Sequence, residues 1–160
     1  MIEDYRTQLE IIEAYLEAGQ EEDYIDFIAG RTDLVIEVDW REHDEDIIQY
    51  CEDILKTKQL SAVCVDADNA QGFELTIQFQ SKQLKVAYRD DGADRDTTII
   101  YLNQILQPEY EIRFCQASHG ADTLAFLPLS QKSWRYLERQ WGSQLDEYFV
   151  KIAADSCFFG

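Results

Sequence analysis

The chain has two histidines and two prolines in 160 residues, and its 14 lysines and arginines face 32 aspartates and glutamates. Each scarcity excludes something. A zinc centre draws on three or four clustered His, Cys or carboxylate ligands, whereas His43 and His119 stand far apart with no second histidine at helical spacing. The glycines are isolated, so no phosphate-cradling loop and no dinucleotide fingerprint is present, and no cofactor is expected. With so little Gly and Pro there is little material for linkers or disorder. One globular domain over residues 1–160 is expected, long enough to bury a core.

No stretch approaches the roughly 18 consecutive apolar residues of a membrane span. The start, "MIEDYRTQLE", lacks the basic and apolar regions of a signal peptide. The expected location is cytoplasmic. Cys51, Cys64, Cys115 and Cys157 match neither a paired metal-binding spacing nor a small stapled scaffold, so four buried thiols in a reducing compartment are expected.

The shortage of bases leaves a formal net charge of −18, against a comfortable magnitude of about 2 to 8 for a small domain. Such an excess costs stability through self-repulsion. It argues against nucleic acid and anionic membrane as partners, because both are met by basic surfaces. A basic protein partner, or solubility alone, remains.

Hydrophobic spacing orders the elements. Ile2, Tyr5, Leu9, Ile12 and Leu16 predict a helix over 2–17 ended by Gly19, and a shorter helix follows over 21–29. "DLVIEVDW" alternates as a strand. Residues 44–58 predict a helix with Ile47, Ile48, Cys51, Ile54 and Leu55 inward and Asp44, Glu45 and Asp46 in its first turn, where carboxylates suit the helix dipole. "SAVCVDAD" predicts a strand, and "GFELTIQFQ" with "LKVAYR" a hairpin. A helix over 96–107 is capped by Asp94 or Asp96 and stopped by Pro108. Strands "YEIRFCQ" and "TLAFLPL" follow, with Pro128 confining the second to a strand end or sheet edge. Two helices close the chain, the first capped by Ser130 and ended by Gly142, the second carrying Leu145, Tyr148, Phe149 and Ile152. The order α-α-β-α-β-β-β-α-β-β-α-α predicts an α+β fold: a mixed or largely antiparallel sheet of five to six strands with helices over one face.

Catalytic constellations are weak. "DADNAQG" begins like a calcium loop, but Ala70 replaces a third oxygen ligand, Gln71 the turn glycine and Ile77 the bidentate glutamate, so a turn is the better reading. In "CQASHG", neither Cys115 nor Ser118 has a visible means of being aimed at His119. The terminal "CFFG" is expected to dock on the core, since exposed apolar patches are rare.

The charge is also polarised: residues 1–60 hold 18 acids and five bases, residues 61–160 hold 14 and nine. "EVDWREHDED" alone packs Glu37, Asp39, Glu42, Asp44, Glu45 and Asp46 around Trp40 and Arg41. Glu37 and Asp39 share one face of a strand, where like charges repel and the sheet gains nothing. A basic partner would reverse that penalty. The expected partner-binding residues are therefore Glu37, Asp39, Trp40, Glu42, Asp44, Glu45 and Asp46, with Asp90 and Asp91 as a second patch. Trp40 shares the phase of Leu34, Ile36 and Val38, which favours burial in the core over a binding hot spot.

The segments "LKVAYRDDGADRDTTIIYLNQILQPEYEIRF" and "DTLAFLPLSQKSWRYLE", within residues 84–152, resemble the bacterial immunity proteins that neutralise polymorphic toxins, including those of contact-dependent inhibition and type VI secretion. The resemblance is one of type and assigns no functional residue. It implies a cytosolic protein that binds one cognate toxin, often a basic nuclease, and blocks its active site or its access to substrate. Two other expectations stand beside it: a metal-dependent hydrolase using Asp66, Asp68 and His119, and a housekeeping α+β domain whose charge serves solubility only.

Overall fold

A computed structural model describes residues 2–39, 41–89 and 92–159, the side chains of residues 2–7 and of Glu21 excepted. Along the chain lie α1 (Ile2–Ala18), a 3-10 turn (Glu21–Asp23), α2 (Tyr24–Phe27), β1 (Ile36–Asp39), α3 (Asp44–Leu55), β2 (Leu60–Asp66), β3 (Phe73–Phe79) and β4 (Lys82–Lys85). There follow α4 (Arg95–Leu106), β5 (Tyr110–Cys115), a second 3-10 turn (Gln116–Ser118), β6 (Thr123–Ser130), α5 (Gln131–Trp141), α6 (Ser143–Tyr148) and β7 (Phe149–Lys151). The fold is α+β. Among the described residues no helix is long and apolar enough to cross a membrane.

The strands form two antiparallel sheets, ordered β1-β6-β5-β7 and β2-β3-β4. Helices cover both faces of the first sheet, a correction to the expectation of one covered face. Ile112 and Phe114 of β5, with Leu124 and Phe126 of β6, share a core with Ile47, Ile48 and Cys51 of α3, Ile99 and Leu102 of α4, and Leu75, Ile77 and Phe79 of β3. Thus α3 and α4 lie between the two sheets. Cys115, Ala125, Leu127 and Leu129 turn the other way, toward Ile12, Tyr15 and Leu16 of α1, Trp134 of α5 and Leu145 of α6. Each fully buried aliphatic or Phe side chain contributes roughly 1.5 to 3 kcal/mol, so these two layers dominate the stability of the fold.

Local chemistry sets the ends of the elements. Asp94 caps α4 by accepting the Thr97 N–H at 2.7 Å, and Ser130 caps α5 by accepting from Ser133 at 3.1 Å. Helix α3 stops at Leu55 because Lys56 turns to a positive φ of 54°, its N–H donating to the Glu52 carbonyl. Pro128 sits within β6, opposite Ile112. The β1 pairing ends two residues earlier at Phe126, so β6 has no neighbour on that side and a missing N–H is tolerated there.

Three further expectations are corrected. Residues 21–29 form a 3-10 turn and one short helix rather than a continuous helix. The last helix ends at Tyr148, because Phe149–Lys151 extend as β7 and pair with Arg113–Cys115. Of the thiols, Cys51 and Cys115 are buried while Cys64 and Cys157 are exposed. The tail does dock: Phe158 stacks on Phe114 with ring centres 4.4 Å apart. Arg113 lies inside the fold: it is 1% exposed, bonded to Glu111 at 2.8 Å and Glu138 at 3.2 Å, and 4.2 Å from the Trp134 ring centre.

Candidate functional site: an acidic groove on an open sheet edge

β1 is the edge of the four-stranded sheet, paired with β6 on one side only. In an antiparallel ladder every second residue of an edge strand turns its backbone N–H and C=O away from the partner strand. Beside this open edge lies a groove of about 710 Å³. Asp33, Glu37 and Asp39 line it from β1 and the turn before it; Glu42, Tyr50 and Asp53 line it from α3 and its approach. Thr32, Val35 and Thr123 complete the wall, and among the described residues no lysine or arginine lines it.

The sequence builds this groove by phase. Ile36 and Val38 point into the core between the sheets, so Glu37 and Asp39 fall on the opposite face. On α3 the inward stripe of Ile47, Ile48, Cys51 and Ile54 leaves Tyr50 and Asp53 outward, one turn apart and facing the edge of β1.

Short-range bonds fix the carboxylates. Asp39 accepts the Arg41 N–H at 2.8 Å and its guanidinium at 3.5 Å, contacts that hold its carboxyl below the usual range. Asp33 is held down by its hydrogen bond from Arg31, at 3.0 Å. The Tyr50 hydroxyl donates to Glu42 at 2.9 Å, and this bond, aided by burial and the nearby charges, pushes the phenol up to about 12. Gln49 donates to Asp53 at 2.8 Å, and the Gly30 N–H reaches Glu37 at 3.4 Å. Arg31 is engaged with Asp33, and Arg41 with Asp39. Among the described residues the groove has an excess of acceptors, and its chemistry suits recognition of ammonium and guanidinium groups.

The expected residues separate here. Glu37, Asp39 and Glu42 line the groove together. Asp44 does not: its side chain is 4% exposed, bonded to the Thr98 hydroxyl and to the Tyr88 hydroxyl at 3.0 Å, with Arg95 at 3.9 Å. A carboxylate so placed joins α3, α4 and the segment after β4, and it is not available to a partner. Glu45 is exposed and Asp46 half-buried on the first turn of α3, outside the groove lining. Trp40, Asp90 and Asp91 lie outside the described residues. Asp33, Tyr50 and Asp53 were missed; the outward phase of α3 was the signal for the last two, and Asp33 carried none beyond its charge.

The residues of the hydrolase reading do not converge on a described centre. Asp66 ends β2, and the turn after it is tied by Asn69, which accepts the Gly72 N–H at 2.8 Å and donates to the Phe73 carbonyl at 3.0 Å. His119 follows β5 on the other sheet, edge-on to Phe114. Among the described residues no group of three or more His, Cys, Asp or Glu side chains is placed to hold a metal ion. No family model, curated protein or solved structure matches this chain.

Proposed function

We propose that the protein is an acidic inhibitor of the immunity type, which binds and neutralises a basic toxin domain, a nuclease above all, by docking it on the β1 edge. The observation that carries this reading is the groove: five carboxylates, Asp33, Glu37, Asp39, Glu42 and Asp53, bracket an open strand edge, with no cation among the described residues of the lining. A nuclease that grips phosphates presents the complementary surface. Opposed fields of this kind raise association rates toward 10⁸ to 10⁹ M⁻¹s⁻¹, on the order of a hundredfold or more above the neutral case. The open backbone of β1 adds a second recognition element, since an extended partner segment can continue the sheet there.

The test pairs the purified chain with the basic domain that co-purifies from its native host, or with the C-terminal domain of an effector encoded beside it. Titration calorimetry at rising salt is expected to show affinity falling steeply with ionic strength. Glu37→Gln, Asp39→Asn and Glu42→Gln together are expected to weaken binding by about a hundredfold, near 2.8 kcal/mol, with the fold intact by circular dichroism. Unchanged affinity and unchanged salt dependence in that triple variant would refute the proposed surface.

A further inference from the structure

The edge strands of the two sheets are guarded unequally. β1 is four residues long and carries Glu37 and Asp39; β4 carries Lys82 and Lys85; β7 has three residues and ends in Lys151. Short length and edge charges are the ordinary means by which sheets prevent further strand pairing. β2 has neither. It runs seven residues at the edge of its sheet, "LSAVCVD", with no charge before Asp66, and Val63 and Val65 are 45% and 55% exposed. Cys64 between them is exposed as well. In a chain of net charge −18, six successive residues of this edge, Leu60–Val65, carry no charge.

The flanks of β2 indicate what covers it. Exposed Lys58 precedes the strand, while exposed Asp66 and Asp68 end it and follow it. A strand that is basic at its start and acidic at its end complements its own reversed copy. Antiparallel pairing about a two-fold axis at Val63 sets Val63 on Val63 of the second copy, Ser61 on Val65 and Leu60 on Asp66. It also brings the Lys58 end of each chain to the Asp68 end of the other. No like charges face each other across the seven residues, and the β-branched pair at the centre is of the kind that stabilises a sheet.

We infer that two copies of this chain associate through β2, joining their three-stranded sheets into one continuous six-stranded sheet with Val63 at the two-fold axis. Such an interface is isologous and closes at the dimer. It lies on the other sheet from the β1 groove, does not rest on the inhibitor reading, and leaves that groove open in both copies.

Sedimentation velocity on a dilution series of the full chain is expected to show a monomer–dimer equilibrium. Val63→Lys places two ammonium groups at the axis and is expected to raise the dimer dissociation constant by at least about tenfold, without loss of fold because the position is on the outer face. Lys58→Asp and Asp68→Lys are each expected to weaken the dimer, and the double exchange to restore it. Cys64 serves as a reporter: diagonal neighbours in this register are about 7 to 8 Å apart, so a short bis-maleimide applied to the Cys157→Ser variant should link two chains through Cys64, and Cys64→Ser should abolish the link. A chain monomeric at every concentration overturns the inference. So does a dimer indifferent to Val63→Lys, or one that the double charge exchange fails to restore. Loss of capture of a foreign protein by Val63→Lys, in a chain that stays monomeric, would assign β2 to that partner and overturn it too.

Discussion

The Asp96 carboxylate accepts the Phe158 backbone N–H at 2.7 Å, joining the first turn of α4 to the C-terminal segment across 62 positions of sequence. A second oxygen takes the Phe159 N–H at 3.4 Å, and the Phe158 ring stacks on Phe114 beneath it. The tail is thus held by a charge-assisted bond and an aromatic contact at once. Hydrogen bonds to charged groups are worth about 1.5 to 3 kcal/mol. Asp96→Ala is expected to lower stability by that amount and to expose the last residues to carboxypeptidase, while Phe158→Ala leaves Asp96 ordered and loses a comparable amount through packing. Denaturation midpoints and the rate of tail clipping measure the two effects; a tail equally resistant in both variants would show that neither contact holds it.

The same carboxylate chemistry performs opposite tasks a few residues apart. Asp44 is enclosed by Tyr88, Thr98 and Arg95, whereas Glu37 and Glu42 front the groove. Asp44→Ala removes the carboxylate shared by the Thr98 and Tyr88 hydroxyls, and the negative charge 3.9 Å from Arg95, from a site almost closed to water, and is expected to cost about 3 kcal/mol of stability. Glu37→Gln is expected to change stability by less than about 0.5 kcal/mol, as surface substitutions generally do, and to act on partner affinity instead. Urea denaturation of both variants separates the two roles; equal destabilisation would remove the distinction between strut and docking residue.

How far this was legible in the sequence depended on whether local pattern or long-range pairing decided the outcome. The α3 stripe, the β3 alternation and the Asp94 cap are set by neighbours within a few residues, and periodicity finds them. β7 escaped because Phe149–Lys151 continue a helical pattern in phase and become a strand only by pairing with Arg113–Cys115. The second covered face of the main sheet was written in "LAFLPL", a nearly unbroken apolar run of the kind that marks a strand buried on both sides. The exposed thiol of Cys64 is a property of β2 lying at a sheet edge, a consequence of strand order. In the groove, Glu37, Asp39 and Glu42 were found because charge density is local. Asp44 was misplaced because charge alone does not reveal that Tyr88 and Thr98 arrive from 44 and 54 residues away.

Tyrosine ionisation gives the fold a defined alkaline limit. Tyr50 is pushed up to about 12, first by its hydrogen bond to Glu42. Burial, the largest cause in each case, raises Tyr24, Tyr88 and Tyr110 as well. In each case the folded protein favours the neutral phenol. Below the ordinary tyrosine value of about 10, folded and unfolded chains hold the same phenolic protons, and the full stability is present. As pH rises past that value the unfolded chain loses protons that the folded chain keeps, so stability falls. The Tyr50 share of that loss levels off only above about 12, where its folded phenol ionises too. The denaturation midpoint is therefore expected to drop steadily from about pH 10 upward. Glu42→Gln replaces the anionic acceptor with a neutral one and is expected to bring one tyrosine of the nine back toward the ordinary value, visible as an earlier step in phenolate absorbance. If all nine tyrosines ionised together near the ordinary value in the native protein, with no change in the midpoint, the Tyr50–Glu42 bond would not be the wall of the groove described above.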